Sequence, residues 1–94
     1  MVKHLVLWNF KPDTPRRDID EITFRLLQLK KLDEVLELNV QKSNLSSSTK
    51  DYLLTVVFLN EKDLKTYQEN PEHQKVSQLI EKALENRVSF DYQD

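Results

Sequence analysis

The sequence predicts an α+β fold in which helices cover one face of a four-stranded antiparallel sheet. Four stretches rich in β-branched and aromatic residues read as strands, and the segments between them carry apolar residues at intervals of three and four. Two of the strands are apolar on both faces, as strands in the middle of a sheet should be, while the other two keep one polar face.

Val2 to Phe10 stops at Lys11-Pro12-Asp13 and is the first strand. Thr14 fits an N-cap with Pro15 at the first helical position, where a missing N–H does no harm. Behind them Ile19, Ile22, Leu26 and Leu29, flanked by Phe24, Leu27 and Leu32, predict one broad apolar helix face. Leu36, Leu38 and Val40 alternate with Glu37, Asn39 and Gln41 in a half-buried second strand, and "SNLSSSTK" (43–50) is a polar connection. Residues 51–59, "DYLLTVVFL", form the third strand, after which Asn60 caps a short helix carrying Leu64 and Tyr67. Pro71 ends that helix by pushing the preceding residue out of the α region, and it opens the next one with Asn70 as its cap. From there His73, Val76, Ile80 and Leu84, with Leu79 and Ala83 beside them, share one helical stripe. Val88, Phe90 and Tyr92 alternate with Arg87, Ser89 and Asp91 in a last strand.

The order β-α-β-β-α-β, its second α split in two, is that of a ferredoxin-like domain, with the first and third strands central and the second and fourth at the edges. Residues 1–94 make a single domain. Helices on one side leave a central apolar patch on the other. Such patches mark interfaces, and two sheets meeting face to face in a symmetric homodimer would cover this one.

Composition removes several function classes. With no cysteine there is no disulfide, thiolate metal site or cysteine nucleophile. With no glycine, where ordinary usage gives about six or seven, there is no phosphate cradle of the P-loop or dinucleotide type. A net charge of −2 with interleaved signs leaves no basic footprint, so nucleic acid is not an expected partner. No apolar run is long enough to span a membrane, no signal-like segment opens the chain, and the expected compartment is the cytoplasm. No spacing of the two histidines suggests a metal site, and no cofactor is expected.

The histidines carry the chemical interest. His73 lies in the first turn of a helix, on its apolar stripe. The positive end of the helix dipole and partial burial both disfavour imidazolium there, so the ring is expected to be neutral at pH 7 and able to act as a base. The other reading is a core histidine bonded to a backbone group or to the Tyr67 hydroxyl. His4 shares a strand face with Val6, Trp8 and Phe10, with the same two readings open to it.

"MVKHLVLWNFKPDT" at the start, "DYLLTVVFLNEKDLKTYQENPEHQKV" in the middle and "VSFDYQD" at the end together resemble the stress-responsive α/β-barrel domain, the dimeric A/B barrel or Dabb family. The resemblance runs from about Val2 to Tyr92 and implies a ferredoxin-like protomer that pairs through its open sheet face into a dimeric α/β barrel. It also implies mixed functions. Some members are known only as stress-induced, and a plant relative is a cofactor-independent polyketide cyclase with its pocket between sheet and helices. In cyclase-like members the histidine of the P-x-H motif is the proposed base, assisted by an upstream tyrosine. By motif these are His73 and Tyr67 in "TYQENPEH", and the strand-one histidine is His4. The chain departs from the cyclase at Leu53, where the cyclase has another histidine, and at Asn70, which precedes the proline in place of histidine.

The expected site therefore comprises His73, Tyr67 and His4 as catalytic groups in a pocket lined by Val6, Trp8, Phe24, Leu53 and Phe90. Two functions remain open: a dimer that binds a small apolar or aromatic ligand and transfers a proton on it, and a non-catalytic dimeric module in which these residues only fill the core.

Overall fold

Strand β1, Val2–Phe10, alternates along its whole length: Val2, His4, Val6, Trp8 and Phe10 are buried while the residues between them are half-buried. A computed structural model describes residues 1–94 and places β1 at the centre of one sheet. The other elements are α1 (Arg16–Gln28), a 3₁₀ turn at Leu29–Lys31, β2 (Glu37–Lys42), β3 (Tyr52–Phe58), α2 (Glu61–Glu69), α3 (Pro71–Glu81) and β4 (Leu84–Gln93). The strands run antiparallel in the order β2-β3-β1-β4, so the two strands that are apolar on both faces are central, as expected.

The register decides which side chains share a face. Val6 pairs with Leu54 on one side and Ser89 on the other, and His4 pairs with Val56 and Asp91. The face with His4, Val6, Trp8, Leu54 and Val56 meets the helices, which contribute Ile22, Leu26, Leu64, Tyr67 and Val76 to the core. Strand β4 inverts the usual pattern. Its polar residues Arg87, Ser89 and Asp91 lie on the helix side, and Val88, Phe90 and Tyr92 lie on the open side across from Leu7, Leu5 and Lys3.

Several boundaries differ from expectation. Helix α1 begins at Arg16, because Pro15 keeps an extended ψ of 147° and caps the helix through its carbonyl, which accepts from Asp18 and Ile19. The Thr14 N–H is taken by the Lys11 carbonyl, which holds that residue in the preceding turn. Helix α3 stops at Glu81, so Leu84 opens β4 instead of extending the helical stripe. There the end of β1 intervenes: the Lys11 N–H bonds the Ala83 carbonyl at 2.9 Å, and the Lys11 ammonium bonds the Lys82 carbonyl at 3.0 Å. Leu36 and Leu59, expected within strands, lie just outside them and are exposed.

Candidate functional site

The site begins at the joint between α2 and α3. The Asn70 side chain accepts from the Glu72 N–H at 3.0 Å, and its own extended backbone (ψ 129°) breaks the chain direction before Pro71. That break folds the last turn of α2 onto the first turn of α3. Tyr67 and His73 are thereby brought ring to ring, with centroids 4.3 Å apart and planes inclined by 47°. Tyr67 is 0% exposed, backed by Phe58 at 5.1 Å. From below, His4 approaches Tyr67 edge-on at 6.3 Å.

His4 is 5% exposed, and its Nδ1 donates to Oδ1 of Asp91, its direct cross-strand partner. That bond fixes the orientation of the ring. Trp8, two residue pairs along the same face, stacks on Tyr52 at 5.6 Å. His4, Trp8, Tyr67 and His73 line a cavity of about 40 Å³, with Val6, Leu26, Leu54 and Val76 supplying apolar wall and Arg87 at its exposed rim.

Three polar atoms of the residues lining this cavity are left unsatisfied. Trp8 Nε1, Tyr67 Oη and His73 Nδ1 are buried without a hydrogen-bond partner, and all three residues line the same space. Buried polar groups in folded proteins nearly always find partners, so three gathered orphans call for one, whether ordered water or a ligand. Burial pushes the Tyr67 phenol far above its ordinary range, opposed by Arg87, so it stays a neutral O–H donor at pH 7. Burial likewise lowers the pKa of His73, with the Gln68 backbone opposing it and electrostatic repulsion from the direction of His4 and Arg87 adding to it. The neutral ring anticipated from its helical position follows mainly from desolvation.

Of the residues expected at the site, the structure brings together His73, Tyr67, His4, Val6 and Trp8. Phe24 is 58% exposed on the outer side of α1 and lies away from the cavity. Leu53 pairs with Leu7 and points to the open face, its place on the helix side being taken by Leu54. Phe90, 61% exposed, also belongs to the open face, because β4 turns its polar edge inward. Asp91 and Arg87 were not anticipated from sequence. The one available signal was the register that sets an acid opposite the strand-one histidine, and it emerges only once β4 pairs with β1. No group of three or more His, Asp and Glu side chains gathers as metal ligands.

A family model described as Stress responsive A/B Barrel Domain matches residues 2–94. Among solved structures, a dimeric protein of unknown function with a ferredoxin-like fold from Bacteroides fragilis superposes with a TM-score of 0.85 at 24% identity, over 99% of this chain and 95% of that one. A Dabb family protein with a ferredoxin-like fold from Mesorhizobium loti has a TM-score of 0.86 at 14% identity, over 99% and 95% of the two chains. A hydroxynitrile lyase from Passiflora edulis reaches 0.89 at 18% identity, over 97% and 90%. At these identities the likeness is one of fold. No curated protein matches the chain.

Proposed function

The chain belongs to the stress responsive A/B barrel domain family, and on that premise we propose a homodimer joined through the open face of the sheet. Each protomer binds a small apolar or aromatic ligand bearing an oxygen in the cavity between sheet and helices, and His73 takes a proton from it. One observation supports this reading: Trp8 Nε1, Tyr67 Oη and His73 Nδ1 are buried and unpaired, on three residues that line one cavity.

The chemistry follows from the donor set. A carbonyl oxygen seated between Trp8 N–H and Tyr67 O–H receives two hydrogen bonds that strengthen as negative charge builds on it. Neutral His73 accepts the proton from the adjacent carbon or from a phenol, and the resulting imidazolium returns it at another position. His4, held in place by Asp91, sits across from Tyr67 as the second acid–base group. Such assistance contributes roughly 10² to 10⁴-fold to a rate. The dimer reading rests on Val88, Phe90 and Tyr92, exposed together on the open face beside Leu5 and Leu7. The Bacteroides fragilis neighbour is a dimeric protein, and the Passiflora edulis neighbour is a hydroxynitrile lyase, which supports catalysis on this fold by analogy alone.

The small volume of the cavity, about 40 Å³, favours a second reading in which a non-catalytic dimer holds only water there. Titrating the protein with small aromatic ketones and phenols separates the two, because the single tryptophan gives one indole N–H resonance that reports directly from the cavity. The expected result is a saturable shift whose affinity falls at least about tenfold in His73→Ala. Affinity retained in full by the variant removes His73 as the polar anchor, and no shift at all leaves the non-catalytic reading standing.

A further inference from the structure

Arg87 is the one exposed residue in the lining of the cavity. It lies on the helix-side face of β4, opposite Trp8 in the register, and forms neither an ion pair nor a hydrogen bond within the chain. The acids around the site are engaged elsewhere: Asp91 holds His4, and Glu34 accepts from the Asn70 side chain at 3.2 Å. A guanidinium without an internal counter-ion at the rim of an apolar hollow keeps its hydrogen-bonding fork available to a carboxylate. Its charge is felt within the site, where it depresses the pKa of both Tyr67 and His73. The cavity is thus graded. Neutral donors and a neutral imidazole occupy its closed end, and a free cation its open end.

We propose that the ligand of this cavity is a small organic anion: an apolar or aromatic body under the helices, an oxygen facing Trp8, Tyr67 and His73, and a carboxylate or similar group held by Arg87. The proposal rests on the reading of the cavity as a ligand site and adds the class of ligand and the residue that selects it. A guanidinium fork matches a carboxylate with two parallel hydrogen bonds, and an unpaired one at the entrance also draws anions toward it. Since the Arg87 side chain makes no internal ion pair and is exposed, its replacement is expected to leave the fold intact.

The test pairs 4-hydroxybenzoate with 4-hydroxybenzamide, which share shape and differ in charge, and follows the Trp8 indole resonance in the dimeric full chain. The benzoate is expected to bind at least about tenfold more tightly than the amide, the difference made by one charge-assisted contact. In Arg87→Gln the two affinities should converge on that of the amide, and in Arg87→Lys part of the preference should return. Equal affinities for both probes, unchanged in Arg87→Gln, would overturn the anion proposal while leaving the cavity as a ligand site. Failure of both probes to shift the resonance would overturn both. A thermal unfolding curve of Arg87→Gln matching the parent within a few degrees separates loss of recognition from loss of fold.

Discussion

Replacing Tyr67 by Phe removes a buried hydroxyl that bonds to nothing. A buried tyrosine ordinarily contributes both ring packing and a hydrogen bond, and losing the second lowers stability. Here the ring contacts to Phe58, His73 and His4 survive the substitution, because they involve no oxygen. What disappears is the cost of keeping an unsatisfied hydroxyl out of water, about 1–3 kcal/mol. Room for water in the cavity places the gain at the low end. Tyr67→Phe should therefore stabilise the ligand-free protein by about 1 kcal/mol, which for a domain of this size raises Tm by roughly 4–8 °C. Urea unfolding at fixed protein concentration measures it, since a dimer's midpoint depends on concentration. A loss of more than about 1 kcal/mol would mean that the hydroxyl has a structural partner, and the claim of an unsatisfied cavity would fall.

Stability should also fall as pH drops from 7 toward 5. The folded pKa of His73 lies below the unfolded value of about 6.5, so the unfolded chain binds more protons in that window and gains on the folded one. Thermal melts across the window should show this decline, and His73→Gln should flatten it. Asp91→Ala leaves the His4 Nδ1–H buried without its acceptor and should lose about 1–3 kcal/mol in urea unfolding. Phe90→Lys places a charge in the proposed interface of both copies. Two lost apolar burials of about 1.5 kcal/mol each weaken the dimer at least about 100-fold, visible by light scattering as monomer at micromolar concentration, whereas an unchanged dimer would place the interface elsewhere.

The parts of the structure that were legible in the sequence are those decided locally. Asn60 and Asn70 cap their helices through their own side chains, accepting from Asp63 and Glu72, and Pro71 sets the joint that aims His73 at Tyr67. Strand β1 announces its buried face by unbroken alternation. What was not legible depends on pairing between distant segments. Strand β3 is apolar on both faces, so only its register with β1 decides that Leu54 enters the cavity and Leu53 does not. In β4 the ordinary expectation that apolar residues turn inward fails, because its inner positions hold Arg87 at the cavity rim and the histidine partner Asp91. Leu84 continues the spacing of α3 by coincidence, and backbone bonds from Lys11 end the helix before it. Phe24 lies 200° around α1 from Ile22 at about 100° per residue, which takes it out of the buried stripe.

The central claim is that the closed end of this cavity is built to hold an oxygen-bearing ligand. A high-resolution crystal structure of the protein grown with 4-hydroxybenzoate tests it most directly. Ordered ligand density should replace water with an oxygen about 2.7–3.2 Å from at least two of Trp8 Nε1, Tyr67 Oη and His73 Nδ1. A cavity closed by side chains that have turned to bond one another or the backbone would contradict it.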